Sequence, residues 1–381
     1  MEITDGRVTK LSIPERYVSD SQVAALDRHV GGRDREVEEL EHVYLELDTD
    51  ADERGIGFAV VNMETPGTLS PEMLHRRFEA VLDEYVGESP FAMVNGLSRH
   101  RGGQINYYAG SSYGTGLRRA LDFALWDLCG KHLDTPVYEL LGGDDPAVPV
   151  YASGLAFPAS ESELRDLYGD FADLGIEAAK VKVGFPTVEA DIERLSLVRD
   201  AMGGDPTLLV DANEAWTPKE TIRRVRAFRD SGFDIHWVED PVLRYDVDGM
   251  RTIREALLST NLCIGDYLGL EEKAAVLEAG ACDVLNVHGF TPAWRDAHLA
   301  VAHGTTVGVG TDHTADIAPM HVGAALPEVE FMEFTGHRFW HLCDGPFEIA
   351  DGEAIAPDRP GHGVVVPDDV IEEFGRGGSE L

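Results

Sequence analysis

The sequence predicts a (β/α)8 TIM-like barrel preceded by an α+β unit, and three observations carry that prediction. Short apolar runs that end in an acid recur about every 27 residues, at Leu208–Asp211, Ile235–Glu239 and Cys263–Asp266. A strand, a helix and their two loops occupy about 25–30 residues, so each acid closes one successive parallel strand, and in a barrel those ends meet at one mouth. Lys180-Val181-Lys182 lies one such interval earlier. Finally, the alternation is missing from residues 1 to about 145 and continuous from Val148 onward.

Taken in order, Val43–Leu47 and Gly57–Val61 read as antiparallel neighbours across the turn-rich Asp48–Gly55. Helical patterns follow at Pro71–Tyr85 and Gly116–His132. In the second, Leu117–Leu128 is apolar at helical spacing, as a buried packing helix requires. The barrel strands are expected at Val150–Ser153, Ala179–Val183, Leu208–Asp211, Ile235–Glu239, Cys263–Asp266, Val284–Val287, Thr306–Val309 and Glu330–Phe334. Amphipathic helices fall between them at Ser160–Leu174, Val188–Ala201, Lys219–Asp230, Asp248–Leu258 and Glu271–Glu278. A doubly wound open sheet would need a topological switch that nothing here signals. The expected division is an α+β unit over 1–145, a barrel over 146–346, and a segment over 347–381 that packs back on the first unit.

Composition narrows the partners. There are 32 basic and 69 acidic residues, a net charge of −37, and only six lysines, so arginine supplies most of the positive charge. Such a surface repels nucleic acid and anionic membranes. Acid excess with scarce lysine also suits very high salt, where screening cuts self-repulsion to a range of about 3 Å, so a halophilic protein is expected. Cys129, Cys263, Cys282 and Cys343 show no C-x-x-C spacing and imply neither a disulfide framework nor a zinc site. No basic-then-apolar leader is present, and no run approaches the ~18 apolar residues of a membrane span; a cytoplasmic homo-oligomer is expected.

Lys180 and Lys182 are two apart on a strand, so both side chains share a face, and the lysines point inward, where an ammonium needs opposite charge or must lose its proton. One ammonium can bind a substrate carboxylate and depress its neighbour's pKa, poising that neighbour as a general base. Asp211, Glu239 and Asp266, arriving from three consecutive strands, make a hard-oxygen site for Mg²⁺. Asn213 and Asp240, beside ligands, are expected to support them.

At this point the chain resembles the enolase superfamily, in its mandelate racemase and muconate lactonizing enzyme-like branch. The residues that carry the resemblance span most of the chain: Ala120–Asp127, Pro136–Gly143, Lys180–Lys182, Val210–Asn213, Trp237–Pro241 and Asp358–Gly363. It implies a capping domain over a modified barrel, Mg²⁺, and removal of the proton α to a carboxylate on a small-molecule substrate. It further implies that Lys182 is the base, that Lys180 lowers its pKa and touches the substrate carboxylate, and that Glu333 hydrogen-bonds one carboxylate oxygen. On the other face the branch pairs an aspartate on strand six with a histidine on strand seven. His313 matches the histidine, and Asp283 is the nearest aspartate.

The chain departs from the pattern twice. Asp266 stands where a glutamate is usual, and Cys282–Phe290 is several residues shorter than the family's sixth strand. His288, at the other end of that short strand, and Asp312, beside His313, are the next candidates. The expected reaction is dehydration of a sugar acid to a 2-keto-3-deoxy acid, with His313 protonating the departing β-hydroxyl. The runner-up is a racemase or epimerase, and third a cycloisomerase, which usually has a lysine on strand six that this chain lacks. Specificity is expected from the capping domain, near His29 and Arg33 in Asp27–Arg33 and from Asn62–Glu64.

Overall fold

The computed structural model describes residues 1–14, 39–60, 70–96, 112–154, 160–266, 268–311, 316–336, 339–345 and 347–376. The described residues form two sheets. The first is antiparallel, with β1 (Ile3–Pro14), β2 (Glu39–Thr49), β3 (Arg54–Val60) and the late β14 (Gly375–Arg376) in the order β14-β1-β2-β3. The second is the barrel. β4 (Ala147–Ser153), β5 (Ala178–Lys182), β6 (Thr207–Asp211), β7 (Ile235–Glu239), β8 (Asn261–Ile264), β9 (Val284–Val287), β10 (Thr306–Val309) and β11 (Val329–Phe334) pair in parallel, each with the next. It closes where Met332, Glu333 and Phe334 of β11 register against Val150, Tyr151 and Ala152 of β4. A hairpin, β12 (Glu348–Ala350) and β13 (Glu353–Ile355), then pairs antiparallel with the start of β4, at Ala147, Val148 and Pro149. The fold is thus the expected (β/α)8-type barrel with an antiparallel cap, modified in that the chain leaves β11 for the hairpin and then β14.

The helices between the strands start where side chains satisfy free amides. Ser160, Thr187, Thr217 and Asp246 each accept a hydrogen bond from the first turn of the helix they precede. Ser160 and Glu163 form a reciprocal capping box, and Pro218 occupies a first-turn position where no amide is lost. The helix Pro218–Asp230 buries Thr221, Arg224, Val225 and Phe228, the spacing of a single helical face. Inside the barrel, Tyr151, Leu209, Trp237, Cys263 and Val284 pack with Phe331 beneath the mouth. Tyr151 and Phe331 meet Trp237 edge-on at 5.5 and 6.0 Å, so the barrel has a solid floor.

The seam between cap and barrel explains two of the motifs. Asp122 Oδ2 accepts from Phe290 N (3.1 Å) and Thr291 N (2.9 Å), so a cap helix, Ser112–His132, caps the barrel helix Thr291–Ala302. Asp127 accepts from Ile56 N (2.9 Å) and His362 N (3.2 Å), and His362 Nε2 donates to Ile56 O (2.9 Å). The 120–127 and 358–363 segments are therefore two halves of one joint. Burial pushes His321, which bridges Tyr138 N and His362 O there, down to about 3, so its ring is neutral. Apolar contact supplies a comparable share of the energy. Phe58, Phe123, Phe290 and Phe339 are buried at this seam, each contributing about 1.5–3 kcal/mol, against about 1 kcal/mol per hydrogen bond. The hydrogen bonds set the register. No helix among the described residues is long and apolar enough to cross a membrane.

Candidate active site

The site is built on the carboxyl ends of β5 to β11. Lys180 and Lys182 end β5 on its inner face at different depths. The Lys180 side chain is 1% exposed and that of Lys182 10%. Tyr168, from the helix Glu161–Asp173, donates to Lys180 O and accepts from Gly154 N, fixing the strand. Beyond Lys182, the amides of Gly184 and Phe185 both donate to Asp191 (3.0 Å each), which is paired with Arg224. The backbone carrying the lysines is held on both sides.

The carboxylates follow in order around the ring. Ligand oxygens of Asp211 on β6, Glu239 on β7 and Asp266 just past β8 all lie within 4.8 Å of one another. Lys180 Nζ is 2.9 Å from Glu239 Oε1, 2.7 Å from Glu333 Oε1 and 3.8 Å from Asp211 Oδ2, while Lys182 Nζ contacts Asp211. Burial alone would lower Lys180, but Glu239 and Glu333 outweigh it and keep its pKa well above the lysine value. Burial would likewise raise Glu333, yet the Lys180 ammonium holds it at about 2. Glu239 is pushed up, chiefly by burial and then by Asp266 and Asp211, against the pull of Lys180. Crowded carboxylates of this kind call for more positive charge than two lysines bring.

A divalent cation fits that need. The donors are all carboxylate oxygens, the set preferred by hard cations. Glu239 Oε2 is buried with no hydrogen-bond partner among the described residues, an orphan that a metal ion would satisfy. The supports also fit. Asn213 N donates to Asp211 Oδ1 (2.9 Å), and Asp240 accepts from the amides of Gly265 and Asp266 (3.3 Å each). Asn213, Glu214 and Asp240 all have positive φ (42°, 62° and 35°), the strained backbone that functional sites tend to concentrate. Glu214 is gripped by Arg244 through its amide and guanidinium (2.7–2.9 Å), tying the loops after β6 and β7 together.

Two family models match this chain. "Enolase C-terminal domain-like" covers residues 163–370, and "Mandelate racemase / muconate lactonizing enzyme, N-terminal domain" covers residues 35–142. The chain belongs to the enolase superfamily, in its mandelate racemase/muconate lactonizing enzyme branch. This enolase-superfamily enzyme is 36% identical over 280 residues to the 3,6-anhydro-alpha-L-galactonate cycloisomerase of Streptomyces coelicolor, covering 72% of this chain and 75% of the relative. It is 29% identical over 271 residues to the arabinonate dehydratase of Saccharolobus solfataricus, 67% of this chain and 70% of that one. A solved racemase from Streptomyces coelicolor A3(2), with bound magnesium, superposes with a TM-score of 0.79 at 26% identity, over 98% of this chain and 100% of its own. The cofactor of this enolase-superfamily enzyme is Mg²⁺, and Asp211, Glu239 and Asp266 are the residues that would hold it.

The structure brings Lys180, Lys182, Asp211, Glu239, Asp266 and Glu333 together. It does not bring Asp283, and this corrects the sequence expectation. Asp283 precedes β9, at the end of the barrel away from the mouth, where it pairs with Arg254 Nε (2.6 Å) and accepts from Leu262 N (2.9 Å). His313 and Asp312 lie outside the described residues, as do His29, Arg33 and Asn62–Glu64. Three further contacts complete the site; His288 is already a candidate of the sequence, whereas Asn286 and Thr311 go beyond it. Asn286 Nδ2 donates to Asp266 Oδ1 (2.7 Å), His288 Nε2 lies 3.1 Å from the same oxygen, and Thr311 N donates to Glu333 (3.2 Å). Inward alternation on β9 is the signal that identifies Asn286 and His288 together.

Proposed function

We propose that this enzyme removes the proton α to the carboxylate of a sugar acid and expels the β-oxygen, giving a 2-keto-3-deoxy acid; with an acyclic substrate this is dehydration. The observation that carries the reading is the unequal setting of the two lysines. Lys180 is locked among three carboxylates as a permanent cation, suited to binding a substrate carboxylate. Lys182 stands nearer the mouth, less buried and held by one carboxylate, Asp211, and is the residue assigned to the α-proton. Held by Asp211, Glu239 and Asp266, Mg²⁺ would stabilise the negative charge that builds on the substrate carboxylate. Glu333, ionised against Lys180, orients that ammonium; to hydrogen-bond a carboxylate oxygen itself it would need a proton. The departing oxygen takes a proton from a histidine, for which sequence nominates His313.

The 36% identity to a 3,6-anhydro sugar-acid cycloisomerase favours a second reading. In such a substrate the ring oxygen sits on the β-carbon, so the same elimination opens the ring without losing water. It needs no lysine on β9, whose residues are Val-Leu-Asn-Val. The test is a screen of acyclic and 3,6-anhydro sugar acids with Mg²⁺ in high salt, following keto acid and, in D₂O, deuterium at the α-carbon. Keto acid from acyclic acids supports dehydration, and from anhydro acids alone, ring opening. Exchange or inversion without keto acid makes it a racemase or epimerase, and inertness toward every acid removes the reading.

Salt adaptation belongs to the same proposal, because a net charge of −37 repels itself strongly once screening is weak. The melting temperature is expected to rise steeply between about 0.1 M and multimolar KCl, as the Debye length shrinks from about 10 Å to below 3 Å. A flat profile would contradict the halophilic reading.

A further inference from the structure

Around the closed barrel, the residues at the mouth run Lys182 on β5, Asp211 on β6, Glu239 on β7, Asp266 after β8 and His288 after β9. In a ring of eight strands, β5 and β9 are four apart and so face each other. Lys182 and His288 therefore bracket the carboxylate cluster from opposite sides. Among the described residues, His288 is the histidine that contacts this cluster, with Nε2 3.1 Å from Asp266 Oδ1.

The neighbouring strand is shaped to admit this ring. Val309 of β10 registers against Val287, and Gly310 N donates to Val287 O (3.0 Å), so Gly310 lies beside His288. A Cβ at Gly310 would fall 2.6 Å from Nδ1 of His288, 2.9 Å from Nε2 and closer still to Cε1. Gly310 does not have the positive φ that would itself call for glycine. Space for the imidazole explains the residue. Nor is His288 needed to aim Asp266, since Asn286 already donates to the same oxygen at 2.7 Å.

From this geometry we infer that His288 contacts the substrate on the face opposite Lys182, in the space Gly310 leaves, and acts on the departing β-oxygen. The inference rests on the elimination proposed above. Lys182 takes the α-proton and the carbon–hydrogen electron pair forms the C2–C3 double bond. The C3–O bond breaks with its electron pair going to oxygen, and that oxygen receives a proton from His288. Water leaves, or the ring opens to a free hydroxyl. The enol then becomes the 2-keto-3-deoxy acid by gaining a proton at C3 and losing one from the C2 oxygen, and both side chains return to their starting states through solvent.

The test uses the full chain with Mg²⁺ in high salt and measures keto acid, α-deuterium exchange and Mg²⁺ affinity by calorimetry. H288N is expected to lose about 10²–10⁴-fold in keto acid formation while exchange and Mg²⁺ affinity stay within about threefold of wild type. Undiminished keto acid would overturn the inference and leave the role to His313. Loss of exchange and Mg²⁺ binding together would also overturn it, making His288 a holder of Asp266. G310A supplies an independent route should H288N not fold. It should cost keto acid formation on its own, yet add nothing in the double variant with H288A, because both changes remove one ring. Additive losses would overturn the link. A wild type that makes no keto acid removes the proposed elimination alone. His288 is then tested by stereoinversion, which needs a group on each face of the α-carbon and which H288N should stop while exchange through Lys182 continues.

Discussion

Replacing Lys182 with methionine is expected to lower both α-proton exchange and product formation by about 10²–10⁴-fold, the range that general-base catalysis supplies. The reason is the division of labour between the two amines. Lys180 is 1% exposed beneath Lys182 with three carboxylate oxygens within 3.8 Å that favour its ammonium, so it is poorly placed to become a substitute base. Lys182→Arg should be as inactive as the methionine variant. A guanidinium keeps its proton at any workable pH, so it preserves the charge and loses the chemistry. Deuterium exchange by NMR decides the matter: either variant exchanging at more than about a tenth of the wild-type rate would place the base elsewhere.

Asp266→Asn should produce the second large effect. Removing this carboxylate takes away one oxygen anion of the metal site, so Mg²⁺ affinity and turnover should fall, turnover on the order of 10³-fold. The metal-free variant should melt below the wild type. Burial alone would raise the Asp266 carboxyl, but the contact with His288, and then Lys180 and Lys182, hold it well below the usual carboxylate range. The amide gives up those attractions while keeping an acceptor for Asn286. In the wild type, Mg²⁺ at 100 times its dissociation constant adds about 2.7 kcal/mol of stability, and the variant should lose that increment. Thermal melts with Mg²⁺ and with a chelator test both halves. A variant that still gained the full increment would remove Asp266 from the metal site.

The main lines of the site are readable because parallel barrels force the carboxyl ends of successive strands to one mouth. An acid recurring at the strand–helix interval is therefore a statement about three-dimensional position, which is why Asp211, Glu239 and Asp266 can be grouped from sequence. The same rule, applied strictly, excludes Asp283, which comes before its strand. It attracts attention only because β9 is four residues long, so that its two ends are easily exchanged in counting the register. Gly310 leaves no trace in the pattern, since a missing side chain acquires meaning only beside the ring that fills its place. β1, β14 and the β12–β13 hairpin escape for a different reason. Each is defined by a partner distant in the chain or by a few residues, and local alternation is weak: β1 buries Ile3, Val8, Leu11, Ser12 and Ile13 at no constant interval.

The joint at Asp127 has a consequence for how the protein is made. His362 bonds to Asp127 across 235 positions and to Ile56 across 306. At about 5–20 residues per second, a ribosome needs on the order of ten to fifty seconds to travel from the aspartate to the histidine. Throughout that interval the nascent cap carries a buried-type aspartate and an aromatic face with their counterparts not yet synthesised. The joint itself therefore closes only after the barrel has emerged, whatever the cap has formed by then.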